Sequence, residues 1–313
     1  MTIFHGIDIG GSKIELVGFV EHDGELHERH RRRVATPRDD YAAFVDAVAQ
    51  LVEEADTALG ATGSGGGRVG LGLPGIVDRA SGRQLSSNVP ALNGRRVAAE
   101  LGARLARPVA IGNDCQCFAL SEAQGGAAAG LPSMFGAILG TGAGGGFCVG
   151  GRLVAGHNGI AGEWGHWSVP ATLLERHGLA VLDCPCGLRG CLERYVSGSG
   201  LAALGAQLLG EPPIAAAALE ARAAAGDAGA RRVLAVHLDL LAHGLAGLVL
   251  AYDPAAIVLG GGLSKLAHLY AELPRALARH LFHGLPLPAI LPPRFGDAGG
   301  ARGAALLVRQ LGL

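Results

Sequence analysis

Charge of one sign is what this 313-residue sequence lacks: 26 lysines and arginines stand against 27 aspartates and glutamates, for a net charge of −1. With no basic stripe to advertise nucleic acid or an anionic membrane surface, neither is expected as a partner. The opening residues 1–9 have no basic region and no apolar core of the secretory kind. No apolar run reaches membrane-spanning length without a glycine or a charge. The six cysteines, three of them crowded into one cluster, fit a reducing compartment, and the cytoplasm is the expected location.

What the sequence has in excess is glycine: 52 residues, about 17% against a usual ~7%. Some of it, as at Gly63–Gly67, is compositional bias with alanine. Much of the rest gathers where a strand meets a turn, which suggests repeated contact between backbone N–H groups and phosphate. The length suffices for two packed domains.

The densest chemistry lies at 162–193. Gly162-Glu163-Trp164-Gly165-His166 is followed, after an insert, by Cys184-Pro185-Cys186-Gly187-Leu188-Arg189-Gly190-Cys191-Leu192-Glu193. Three thiols in eight positions can wrap one small ion if the chain turns sharply between them, which Gly187 and Gly190 allow. Thiolates with one imidazole make the ligand set of a closed tetrahedral zinc site. His166, inside a motif, and His177, nearer in sequence, both qualify as the fourth ligand. A redox-active or merely buried cysteine group is the plainer alternative. Folding around zinc would bring Glu163 and Glu193 together, and paired carboxylates accept hydrogen bonds from several hydroxyls at once, as a sugar offers.

In chain order, 3–9 and 14–20 read as strands joined by the turn in Asp8-Ile9-Gly10-Gly11-Ser12-Lys13. This is no Walker A loop, because the order Gly-Lys-Ser is missing and a strand follows. Its backbone can still meet a phosphate, and Asp8 can hold a hydrated Mg²⁺, an ordinary tight turn being the alternative. Helices are expected at 41–59, 96–105, 115–124, 196–209, 213–225, 228–252, from about Lys265, and at 301–311; further strands at 69–73, 109–111, 135–139, from Phe147, and at 257–259. Gly72-Leu73-Pro74-Gly75 is a sharp turn that exposes backbone. Asn88 is suited to a sugar hydroxyl or to capping a turn. Asn113-Asp114 ends a short buried strand, where open α/β sheets place ligand-handling groups. A helix N-cap is the structural alternative for Asp114. Gly140-Thr141-Gly142-Ala143-Gly144-Gly145-Gly146 has dinucleotide-fingerprint spacing but no helix after it. It repeats the first strand–glycine–strand unit, and two such hairpins facing across a cleft would grip a triphosphate from both sides. The flat backbone of Gly260-Gly261-Gly262 would pass an adenine or a ribose.

These motifs, from Asp8-Ile9-Gly10-Gly11 through the cysteine cluster to Leu259-Gly260-Gly261-Gly262, resemble in order and spacing the ROK family of sugar kinases and repressors, over nearly the whole chain. The resemblance implies a two-domain α/β, actin-like (ribonuclease-H-like) ATPase fold with ATP and sugar in a central cleft. Residues 1–118 would form the smaller domain, completed by about 298–313, and 119–297 the larger one with the zinc segment. It implies Asp114 as general base and Gly75, Asn88, Asn113, Asp114, Glu163, His166 and Glu193 around the sugar. ATP and Mg²⁺ would meet Asp8, Gly10, Gly11, Ser12, Lys13, Gly140, Thr141, Gly142, Gly144, Gly145, Gly261 and Gly262. Zn²⁺ would be held by His166, Cys184, Cys186 and Cys191, with the second imidazole nitrogen of His166 turned to the sugar. Ser12 stands where the family usually has threonine and keeps the hydroxyl.

Within the family, Ser87-Asn88-Val89-Pro90-Ala91, Leu238-Asp239-Leu240-Leu241 and Gly296-Asp297-Ala298-Gly299-Gly300 look most like the N-acetyl-D-glucosamine kinases. Ala161-Gly162-Glu163-Trp164-Gly165-His166 looks as much like the fructokinases. The expected activity is an ATP:hexose 6-phosphotransferase acting on N-acetyl-D-glucosamine, with fructokinase or glucokinase as the alternative, in a homodimer. A sugar-sensing repressor of the same family would need a DNA-reading helix-turn-helix. Only seven residues precede Asp8, and no basic recognition helix is seen.

Overall fold

Two five-stranded sheets are built by one device, a glycine-turned antiparallel hairpin to which parallel strands are added. The computed structural model describes residues 2–61, 66–85, 88–296 and 299–313. Ser87, Asp297, Ala298 and part of the expected 60–67 loop therefore lie outside the described residues.

The first sheet opens with β1 (Thr2–Ile9) and β2 (Lys13–His22), paired from Ile9↔Ile14 to Thr2↔Glu21. A third strand, β3 (Glu25–Ala35), was not expected from the pattern. Its sequence, ELHERHRRRVA, has no apolar alternation because it is a sheet edge, where charged side chains discourage further pairing. Helix α1 (Tyr41–Leu59) starts where the Asp40 carboxylate accepts the Ala43 N–H and stops at left-handed Gly60. It buries Phe44, Val48, Leu51 and Val52 against the sheet, each worth about 1.5–3 kcal/mol of transfer free energy. Strand β4 (Arg68–Leu73) joins β1 in parallel. A small antiparallel pair, β5 (Ile76–Val77) and β6 (Gln84–Leu85), and α2 (Val97–Leu105) follow, and β7 (Val109–Asn113) completes the order β3-β2-β1-β4-β7.

Helix α3 (Asp114–Ala123) leads to the second sheet. There β8 (Ser133–Leu139), β9 (Ala143–Val149) and the short β10 (Arg152–Val154) form the meander. The helical layer is α4 (Ala171–His177), α5 (Glu193–Val196), α6 (Gly198–Leu209), α7 (Ala216–Ala224) and α8 (Ala228–Tyr252). Then β11 (Ala256–Gly260), α9 (Ala267–Ala278) and β12 (Ala289–Leu291) complete the order β10-β9-β8-β11-β12. The chain ends in α10 (Gly299–Leu311), which returns to pack on α3, β1 and β4. That packing is backbone on backbone: a Cβ at Gly303 would lie 1.7 Å from the Cys117 carbonyl oxygen, and one at Gly6 would lie 1.8 Å from that of Ala301.

Helix α8 is long and apolar enough by composition to cross a membrane, but 78% of its most apolar window is buried inside the protein, as in a core helix. Other expectations shift in detail. The strand expected from Phe147 begins at Ala143, because Gly144, Gly145 and Gly146 pair with Ile138, Ala137 and Gly136; glycine carries no strand signal of its own. The helix expected over 196–209 breaks at Ser197, whose hydroxyl caps α6. The helix expected from 213 begins at Ala216, and a single 3₁₀ turn (Gly262–Lys265) precedes α9.

Candidate active site

The parallel strands of both sheets end at one cleft, the usual place for ligand-handling groups in α/β proteins. At the end of β7, the Asn113 side-chain oxygen accepts the N–H groups of Cys115 (2.9 Å) and Gln116 (3.2 Å). Asn113 is therefore the N-cap of α3, and the alternative of Asp114 as the cap is overturned. The Asn113 amide also donates to the Gly75 carbonyl (3.0 Å), which brings two of the expected sugar residues together. Asp114 opens the first helical turn. Burial pushes its carboxyl up, and hydrogen bonds from Cys115, including the backbone N–H at 2.8 Å, pull it back only in part.

Glu163, His166 and Glu193 reach the same place by lying on β9. Gly162 has φ +110°, and a Cβ there would sit 2.2 Å from the Gly145 carbonyl. The Trp164 indole donates to the Gly144 carbonyl (2.8 Å). Glu193 reaches back so that its Oε2 accepts the Ala143 N–H (2.8 Å). Glu163 is raised first by burial and further by the charges of Asp114 and Glu193, with His166 opposing. Its Oε2 is 3.7 Å from His166 Nε2. Gln116, which the sequence did not single out, ties the base of the cleft to this segment by donating to the carbonyls of Gly159 (3.0 Å) and Ala161 (2.9 Å).

The other imidazole nitrogen, His166 Nδ1, lies 3.8 Å from Cys184 Sγ, and Cys186 Sγ lies 3.7 Å from Cys191 Sγ. All four donor atoms fall within 4.8 Å of one another. A tetrahedron with Zn–S bonds of ~2.3 Å has S–S edges of about 3.8 Å, so donor set and spacing fit that ion. Isolated bridges Ser168↔Cys191 and Asp183↔Arg189 close the loop around them. His177 is elsewhere, with its Nε2 2.8 Å from Asp239, which removes it as the fourth ligand.

A cleft of about 440 Å³ opens beside Asp114, lined among others by Asp8, Lys13, Gly261, Ser264 and Lys265. Ser264 and Lys265 line this cleft without having been singled out in the sequence, although a serine–lysine pair one residue after the Gly260-Gly261-Gly262 cluster was the available signal. In the first turn the Gly10 N–H donates to the Lys13 carbonyl (2.9 Å) and the Thr36 hydroxyl to the Gly10 carbonyl (2.8 Å), leaving Ser12 exposed at the tip. In the second turn the Gly140 carbonyl accepts the N–H of Gly198 (2.7 Å), and Thr141 and Gly142 form the tip. Gly142 passes the Glu193 carboxylate so closely that a Cβ there would sit 2.4 Å from Oε2. Gly261 and Gly262 are exposed at the third. Asn88 lies beside the first glycine turn. It is exposed, and its backbone carbonyl lies against Gly11.

The ROK family model matches residues 4–311. The chain is 47% identical to an N-acetylgalactosamine kinase of Shewanella sp. (strain ANA-3), over 97% of this chain and 96% of that one. It is 43% identical to an N-acetyl-D-glucosamine kinase of Escherichia coli O9:H4 (strain HS), over 97% and 99%. Among solved structures it is similar to a ROK family glucokinase from Streptomyces griseus in complex with glucose and AMPPNP, with a TM-score of 0.77, 28% identity, and 98% and 99% of the two chains covered.

The raised carboxyl of Asp114 has a consequence for stability. A group that binds its proton more tightly when folded costs stability as pH climbs from the ordinary aspartate value, ~3.9, through the raised one. Above that window the charge is a standing penalty. Asp114→Asn should therefore raise the melting temperature at neutral pH, by roughly 2–4 °C per kcal/mol recovered, and lose the gain near about pH 4. Melting curves of both proteins across this range check it, and an unchanged or lower value at neutral pH contradicts the burial argument.

Proposed function

The chain belongs to the ROK family, and on that premise we propose that it is an ATP-dependent kinase transferring the γ-phosphoryl group to the 6-hydroxyl of N-acetyl-D-glucosamine. The observation that carries this reading is the convergence of Asp114, Glu163, Glu193 and His166 beside a cleft with a lysine from each half, Lys13 and Lys265. A polyhydroxyl ligand suits three carboxylates, which accept hydrogen bonds and cannot donate them when ionised.

In this reading Asp114 takes the proton of the 6-hydroxyl as that oxygen attacks the γ-phosphorus. Its raised pKa brings it nearer the operating pH, where a general base is most effective. Glu163, Glu193 and Asn113 fix the sugar ring, and Gly75 offers backbone at the same edge. An adjoining compartment walled by Ile76, Val97 and Ile111 would take the acetamido methyl. Phosphoryl transfer asks mainly for alignment and charge neutralisation, which the two glycine turns and the two lysines would supply. Asp8 would hold Mg²⁺ through water, and the ion would neutralise phosphate charge. Zn²⁺ held by His166, Cys184, Cys186 and Cys191 would have a structural part, keeping Glu163 and Glu193 in register.

The division into residues 1–118 with about 298–313, and 119–297, belongs to the same proposal, with α3 running through the boundary as a shared element. A cytoplasmic location is supported by six free cysteines, and the homodimer is carried over from the family resemblance. A second reading has a specific observation behind it. The relative at 47% identity is named for N-acetylgalactosamine, the C4 epimer, which keeps both the acetamido group and the 6-hydroxyl.

An ADP-release assay across N-acetylglucosamine, N-acetylgalactosamine, N-acetylmannosamine, glucose and fructose tests the assignment. N-acetylglucosamine is expected to give the highest kcat/KM, with glucose well behind, since a polar partner left unpaired costs ~1–3 kcal/mol. N-acetylgalactosamine in first place would move the assignment to the epimer, and fructose in first place would overturn the acetamido reading. Metal analysis should find about one zinc per chain, and Cys186→Ser should lower both zinc content and sugar affinity. Fully active protein without the metal would remove zinc from the account.

A further inference from the structure

Helix α8 carries a carboxylate, Asp239, that is 8% exposed and has nothing to do with the cleft. Two imidazoles from two other helices meet it. His177 Nε2, at the end of α4, is 2.8 Å from one oxygen, and His280 Nε2, just past α9, is 2.9 Å from the other. Over this node opens a pocket of about 410 Å³ lined by Arg176, Arg232 and Arg279. Arg176 and Arg279 come no closer to Asp239 than 3.6 and 3.8 Å, beyond hydrogen-bond distance, and are 64% and 62% exposed. Arg232 makes no ion pair among the described residues. One carboxylate, already engaged by two imidazoles, thus stands against three guanidiniums.

Helix ends account for part of this. Both α4 and α9 finish here, and basic side chains suit C-terminal carbonyls. That does not account for Arg232, which lies within the body of α8, or for three guanidiniums from three segments lining one cavity.

We propose that this pocket is a second ligand site, separate from the catalytic cleft, for a small phosphorylated anion. Guanidinium forks donate in pairs to the oxygens of a tetrahedral dianion, and three of them around one cavity can engage three oxygens at once. The excess positive charge there matches a phosphomonoester or inorganic phosphate. Occupancy would draw α4, α8 and α9 together, and each leads back to the cleft. Helix α4 follows the segment carrying Glu163 and His166, and α9 follows Ser264 and Lys265. Helix α8 packs so tightly that a Cβ at Gly244 would lie 2.9 Å from Trp164 and 3.1 Å from Leu192, and one at Gly247 would lie 2.7 Å from Trp167. The proposal stands on this geometry and does not depend on which sugar the cleft takes.

Trp164 and Trp167, the two tryptophans of the sequence, both pack on α8, the helix that carries Arg232 and Asp239 to the pocket, and serve as the probe of its movement. Intrinsic fluorescence of the whole protein should be titrated with sodium phosphate, ionic strength being held constant with chloride. A saturable change with a midpoint of roughly a millimolar is expected. Arg232→Ala and the double variant Arg176→Ala/Arg279→Ala should each raise the midpoint by roughly tenfold or more with unchanged melting temperature, because these side chains are exposed. Arg232→Lys should keep part of the response, and Lys265→Ala, in the cleft, should keep all of it. No saturable change, an equal change with chloride alone, or a response lost with Lys265→Ala but kept by the arginine variants would overturn the proposal.

Discussion

Three carboxylates that repel one another, Asp114, Glu163 and Glu193, are held at one end of a cleft, and the surrounding structure is what makes that possible. Each arrives on a different element: the first turn of α3, a segment laid on β9, and the start of α5. Partial compensation comes from the positive end of α3, the Ala143 N–H on Glu193, and the His166 ring beside Glu163. Burial raises the carboxyls of both Asp114 and Glu163, and at Glu163 the charges of Asp114 and Glu193 add to it, so the compensation is incomplete. A ligand rich in hydroxyl donors would complete it, so the same electrostatic tension that costs stability in the free protein favours binding.

The clustering depends on contacts that leave no room for side chains. Glycine is abundant partly for that reason. Gly303 lets α10 lie on α3, and Gly162 lets the Glu163 segment lie on β9. From the sequence alone these positions cannot be told from the glycines at turn tips, because the difference is a through-space neighbour.

Much else was legible. Helices α1 and α8 have the bounds that their apolar spacing and caps predict, and the two glycine hairpins stand where the strand–glycine–strand units do. The charged edge strand β3 and the three-residue strands β10 and β12 escaped, since neither a charged edge nor so short a run leaves a periodic pattern. Asn113 and Asp114 cap helices about equally well, so only the observed hydrogen bonds assign the cap. His166 and His177 were likewise indistinguishable by spacing, until one was found among thiols and the other against Asp239.

In the proposed mechanism Asp114 removes the proton from the attacking hydroxyl. Asparagine at that position keeps the size and most hydrogen bonds but cannot accept a proton at neutral pH. The decisive quantity is kcat of Asp114→Asn under saturating ATP and sugar. Loss of a general base typically costs 10²–10⁴ in rate, so kcat should fall by about that factor while KM for ATP stays near wild type. A variant keeping more than about a tenth of the wild-type kcat would contradict the account.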